Sequence, residues 1–213
     1  MPKTMVDHEQ FIEELAGEAA PVSRPLAIAP RAVMWSGLAL ILGWAASRLM
    51  PTAVMDWSNP NEIWLAVNAG LSIVLGLATL AFAFAISTPG RSRRGLGWIA
   101  ALLAVWMAVN IGTIVVSGSP VGHVGDGQYC FRFVALTGAP MIAVVLFALA
   151  RTRALRPVQA LSVAGAAIGF LSFGLLAFCH APGMNVMDFV MHLLAASALT
   201  LVTILVGRRL VAA

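Results

Sequence analysis

Six long apolar runs follow one another through this chain of 213 residues, near 32–50, 63–86, 96–116, 132–150, 158–178 and 187–206. A bilayer core about 30 Å thick is crossed by roughly 20 apolar residues in helical form. Inside it every backbone N–H and C=O must find its partner within the segment, so an isolated strand is excluded and a helix is not. The sequence therefore predicts an all-α, polytopic membrane protein with six transmembrane helices. Composition agrees, with 60% hydrophobic and 10% charged residues and a mean hydropathy of +0.91, far from the balance of a soluble domain.

The basic residues choose an orientation. Lys3, Arg24 and Arg31 precede the first span; Arg91, Arg93 and Arg94 follow the second; Arg151, Arg153 and Arg156 follow the fourth; Arg208 and Arg209 follow the sixth. These are eleven of the 13 Lys and Arg residues. The alternate gaps hold only Arg48 and Arg132, together with Asp56, Glu62, Asp126 and Asp188. By the positive-inside rule both termini face the cytoplasm. The net charge of +4 then serves orientation and contact with membrane lipid headgroups. Scattered over short separate loops, it makes no footprint for direct nucleic-acid binding. The organisation expected is a cytoplasmic tail over 1–31, a six-helix bundle over 32–206 and a short cytoplasmic C-terminus over 207–213. No apolar core with a small-residue cleavage site precedes the first span, so no cleaved signal peptide is expected.

The middles of the six spans contain no Asp, Glu, Lys or Arg, the residues that mark substrate and ion pathways in membranes. Asn68, Ser72, Thr79, Asn110, Ser172 and Thr200 are expected to bond between helices or to their own backbone. Gly70 and Gly76 read as close-packing positions. So does Gly165-x-x-x-Gly169, which has the small-residue spacing of tight helix contacts. A transport pathway has little to stand on.

Chemistry gathers on the outer side. Cys130 lies just before the fourth span and Cys179, followed by His180, ends the fifth, so both cysteines are expected at one membrane face. Three readings stand for the pair: a reactive or metal-responsive thiol sensor, a structural disulfide, or two unconnected thiols. In a bacterial periplasm a disulfide can persist, and closing about 50 residues suggests at most about 4 kcal/mol of stabilisation. Nearby are His123 and Asp126, in the glycine-rich stretch SGSPVGHVGDGQYC, and Asp188 with His192 at i, i+4 spacing. Sulfur, imidazole and carboxylate together suit a thiophilic or borderline transition-metal ion. Each histidine also has a plain alternative: capping for His180, solvation for His123, a structural hydrogen bond to Asp188 for His192.

The tail is the second candidate region. Phe11, Ile12, Leu15, Ala16 and Ala19 fall on one side of a helix whose remainder carries Glu9, Glu13, Glu14 and Glu18. An acidic face is repelled by an anionic leaflet, so two readings stand for this segment: a short amphipathic helix that docks a basic protein partner, and a disordered tail with fleeting helicity. The stretch AAPVSRPLAIAP then reads as an extended linker.

Taken in order, these features resemble the NrsF-type membrane anti-sigma factors. The resemblance rests on an acidic N-terminal segment, the PVSRPL linker, the turns STPGRSRRGLGW and RTRALRP, a cysteine before the fourth span, a Cys-His after the fifth and the MDFVMHLLA start of the sixth. It covers nearly the whole chain. It implies a non-enzymatic inner-membrane regulator that holds an ECF-type sigma factor inactive and releases it under periplasmic metal or oxidative stress. In that family two periplasmic cysteines are implicated in sensing. Cys130 and Cys179 match them, and His180, Asp188 and His192 match the pattern that follows. The tail carries no residue-level sigma-binding motif, so Phe11, Ile12 and Leu15 are candidate contacts by region. Two other classes remain as alternatives, a small inner-membrane transporter subunit and a thiol oxidoreductase. The second lacks the Cys-x-x-Cys pair usual to that chemistry.

Overall fold

The computed structural model describes residues 8–18, 27–51, 60–88, 95–116, 121–123, 126–152, 154, 156–176 and 184–211. Among them are seven helices, α1 (His8–Glu18), α2 (Ile28–Ser47), α3 (Pro60–Ser87), α4 (Leu96–Val116), α5 (Gln128–Ala150), α6 (Pro157–Leu176) and α7 (Val186–Val211), and no strand. α2 to α7 are each long and apolar enough to cross a membrane. The chain is a multi-pass membrane protein of all-α architecture, as the apolar runs required.

Three boundaries differ from the sequence reading by about a helical turn: α2 starts four residues early, α5 starts at Gln128 so that Cys130 lies inside the helix and not before it, and α7 ends five residues late. α2 begins at Ile28, four residues before the first apolar run, and takes Pro30 into its first turn. Proline costs nothing there, because the first N–H groups of a helix have no internal partner to lose. α7 continues past residue 206 to Val211. Arg208 and Arg209 in its last turn complement the negative end of the helix dipole.

α6 is the central helix, packed against α2, α3, α5 and α7. Of its apolar window 67% is buried, against 17% for α4, which packs on α3 at the edge. Small residues allow this crowding. A Cβ added at Gly165 would stand 2.5 Å from Thr200 Cα, and one at Gly169 would stand 2.8 Å from Ala196 Cβ, so these two glycines seat α7. Gly76 does the same for Leu171 between α3 and α6, at 2.8 Å. Gly70 does not, having nothing within 4 Å, and its reading as a packing glycine is corrected.

Most of the intramembrane polar residues expected to bond do so, whereas the Thr79 hydroxyl is buried with no hydrogen-bond partner among the described residues, which corrects its reading. Asn68 and Asn110 exchange side-chain hydrogen bonds at 2.9 and 3.3 Å, joining α3 to α4. One turn along, Trp106 Nε1 donates to Ser72 Oγ at 2.8 Å. Ser172 Oγ donates to Met141 Sδ at 3.7 Å, while Thr200 Oγ1 donates back to the Ala196 carbonyl at 2.8 Å. The Trp106 ring, held by Ser72, stacks on Phe173 of α6 at 5.8 Å and 8° and lies 5.8 Å from Phe189 of α7.

Contacts between helix ends sort the bundle into two poles. At one, Arg31 is 6% exposed, donates from Nη2 to the Ala148 carbonyl at 3.2 Å, and lies 4.5 Å over the Phe84 ring. Ala148 is among the last four residues of α5, whose carbonyls have no helical donor. The guanidinium supplies one and complements the dipole. Arg151 covers Phe147 at 4.4 Å, and the Ala154 N–H bonds the Val211 carbonyl at 3.1 Å. This arginine pole thus joins the start of α2 to the ends of α3, α5 and α7. At the other pole Tyr129 donates its hydroxyl to the Pro51 carbonyl.

The expected consequence is unequal sensitivity to added bulk. Gly165→Leu should lower unfolding stability in detergent by about 1–3 kcal/mol, read from helicity against temperature or denaturant. Gly37→Leu, where nothing lies within 4 Å, should stay within about 0.5 kcal/mol.

Candidate functional site

α7 starts with a reciprocal cap. The Asp188 N–H donates to Asn185 Oδ1 at 2.8 Å, and the Asn185 N–H donates to Asp188 Oδ2 at 3.3 Å. Two donors that a helix start leaves without partners are satisfied at once. Asn185 also donates from Nδ2 to Asp126 Oδ2 at 3.4 Å, which ties the connection before α5 to the start of α7. Asp126 in turn closes a turn with His123: its carboxylate accepts the His123 N–H at 2.7 Å and its own N–H donates to the His123 carbonyl at 3.1 Å.

Two glycines make that apposition geometrically available. Gly122 and Gly127 have φ of 69° and 77°, the left-handed region that other residues enter at a cost. A Cβ at Gly122 would lie 2.5 Å from Asn185 Oδ1, and one at Gly127 would lie 2.9 Å from Met191 Cβ. The glycine-rich connection therefore folds onto the first turns of α7. α5 begins directly after Gly127, with Cys130 in its first turn.

Cys130 is 1% exposed and belongs to the bundle's apolar core. Asp188 and His192, 7% and 8% exposed, stand one turn apart on α7. The His192 ring meets Phe173 edge-on at 5.5 Å and 87°. So Cys130, Asp126, Asp188 and His192 share one pole, as the sequence placed them. His123 shares it through its backbone and is itself exposed. Cys179 and His180 lie outside the described residues.

The donor set does not make a metal cage from what is described. Among the described residues, no three His, Cys, Asp or Glu side chains gather as a metal-holding group. Asp126 and Asp188 already accept N–H donors, which gives both carboxylates a structural role. A buried thiol is chemically quiet until it is uncovered. In this packing Cys130 is shielded from oxidants and thiol reagents.

The tail contrasts with this in every respect. None of the 11 residues of α1 is buried, and Phe11, Ile12 and Leu15 are 50%, 63% and 52% exposed. Three apolar side chains on an acidic helix thus face outward with no intramolecular cover.

Two functional residues escaped sequence reasoning. Asn185 carried a legible signal, since Asn185-x-x-Asp188 has capping-box spacing before an apolar run. Arg31 carried none beyond its charge, because its carbonyl partner is 117 positions away. Comparison with protein-family models, with curated proteins and with solved structures gives no match, so the site's reading rests on the chain's own residues.

If the cap holds this pole together, Asn185→Ala should cost about 1 kcal/mol and speed amide hydrogen exchange in the first turn of α7. Asp188→Ala should do the same. The double variant should cost less than the two combined, because each single change already breaks the reciprocal pair.

Proposed function

We propose that this protein is a membrane anti-sigma factor that holds an ECF-type sigma factor at the bacterial inner membrane and releases it when the Cys130 and Cys179 thiols are oxidised. In this reading the arginine pole and both termini face the cytoplasm, following the positive-inside distribution of Lys and Arg. The thiol pole faces the periplasm. The observation that carries the reading is the division of labour along α5. A buried thiol sits in its first turn, and its last turns bond Arg31, at the start of the helix into which the tail leads. The similarity to NrsF-type proteins supplies the class of partner.

Oxidation joins the two sulfurs and delivers two electrons and two protons to a periplasmic oxidant. The resulting bond changes how the start of α5 sits against α7, and α5, which has Pro140 in its interior as a point of bending, carries part of that change to its far end. Shifting a partner from mostly bound to mostly free takes about 5.5 kcal/mol of preference for one packing over the other. Disulfide chemistry reaches several kcal/mol. The apolar triplet Phe11, Ile12 and Leu15 is the docking element for the sigma factor, its glutamates facing a basic partner surface. A periplasmic metal ion would act on the same thiols and would require Cys179 and His180 as donors. One oxygen of each of Asp126 and Asp188 already accepts backbone or amide hydrogens, and the other remains as a candidate donor.

The test is co-purification of the detergent-solubilised protein with candidate sigma factors, before and after oxidant. Wild type should retain one sigma factor and lose it on oxidation, and Cys130→Ser with Cys179→Ser should retain it under both conditions. Retention of no sigma factor by either protein would sink the regulatory reading in favour of a transporter or oxidoreductase subunit. Release that ignores the double substitution would remove the thiols from the mechanism.

A further inference from the structure

α4 touches α6 and α7 through Trp106 while most of its length stays on α3. The space this leaves is a cavity of about 400 Å³ between α4, α6 and α7, within the range of small-ligand sites. Its walls are apolar, with Leu103 and Met107 on one side and Phe170 and Leu201 on the other. Leu193, Ser197 and Leu201 line it and are themselves exposed, so the cavity is a groove open along the outer surface of the bundle. Trp106 lines it too, stacked on Phe173.

Because these walls belong to membrane-spanning helices, the groove is filled by hydrocarbon or by another helix. Volume separates the two. A helix about 10 Å across and 30 Å long displaces on the order of 2,400 Å³, so it could only lie across the groove and not enter it. An acyl chain is thin enough.

Charge then selects the kind of lipid. Ser197, Leu201 and Ile204 line the groove at i, i+4 and i+7 of α7, and Arg208 continues the same face at i+11. Arg208 is exposed, about 6 Å beyond Ile204 along the axis at 1.5 Å per residue. Arg209, 100° further round the helix, leaves that face. An apolar groove between transmembrane helices ending in an exposed guanidinium has the layout of an anionic headgroup site.

We propose that the groove between α4, α6 and α7 binds an anionic phospholipid, one acyl chain lying along Phe170 and Leu201 and the phosphate pairing with Arg208. The site is independent of what the tail holds.

Native mass spectrometry of the full chain, released from micelles doped with phosphatidylglycerol or with phosphatidylcholine of the same chains, tests it. Wild type should retain phosphatidylglycerol in preference to phosphatidylcholine. Arg208→Gln should cut that preference about fivefold, the weight of one basic residue at an anionic headgroup, and Arg209→Gln should leave it unchanged. Ser197→Trp, a substitution at an exposed position that fills the groove, should abolish retention of both lipids. Equal retention of the two lipids by wild type would overturn the proposal. Equal loss in Arg208→Gln and Arg209→Gln would also overturn it, as diffuse surface attraction. A change of oligomeric state in Ser197→Trp with lipid retention intact would overturn it in favour of a second copy of the chain.

Discussion

The close approach of α6 to its neighbours is the constraint on which the rest of this bundle depends. In lipid, helices gain nothing by hiding apolar surface from one another, since the surrounding tails are equally apolar. What remains is dispersion between surfaces that fit and a few interhelical hydrogen bonds. Gly165 and Gly169 let α7 come within contact of the α6 backbone, and Gly76 admits Leu171 from the other side. Around that axis the polar struts fix direction. Asn68 with Asn110 and Trp106 with Ser72 set how α4 hangs on α3, and the loose fit of α4 elsewhere leaves the groove.

The bundle packed this way has two distinct ends. Its poles hold different chemistry. One gathers Arg31, Arg151, Arg208 and Arg209, with Arg31 bonding the last turns of α5. The other gathers Cys130, Asp126, Asn185 and Asp188, tied by a cap and two left-handed glycines. α5 is common to both. Its first turn carries Cys130, and near its end the Ala148 carbonyl accepts from the buried Arg31 guanidinium. Removing an acceptor from a buried charge is costly, so the Arg31 contact holds the start of α2 to the end of α5.

The fold was legible because its signal is physical and local. Hydrocarbon demands about 20 apolar residues per crossing, and runs of that length read off directly, with ends off by a turn where Pro30 or Arg208 could be absorbed into a helix. The Gly165 and Gly169 spacing was legible for the same reason. Gly70 was misread because spacing says which face a glycine occupies, while only the assembled neighbours say whether anything approaches it. The site was legible in part. Placing Cys130, Asp126, Asp188 and His192 at one pole follows from topology. The work of Asp188 as a cap was missed because a carboxylate near a cysteine and a histidine invites a ligand reading before a backbone one. Arg31 was counted as a topology charge, and its partner on α5 is visible only once the helices are packed.

The account turns on the poles facing opposite sides of the membrane, the thiol pole outward and the arginine pole inward. Cysteine accessibility in intact cells measures this directly. In a background of Cys130→Ser and Cys179→Ser, Val121→Cys and Leu210→Cys are introduced separately, at positions 75% and 57% exposed. A membrane-impermeant maleimide should label Val121→Cys in intact cells and Leu210→Cys only after the cells are opened. The reverse pattern would put the thiol pole and the acidic tail on the wrong sides and contradict the account.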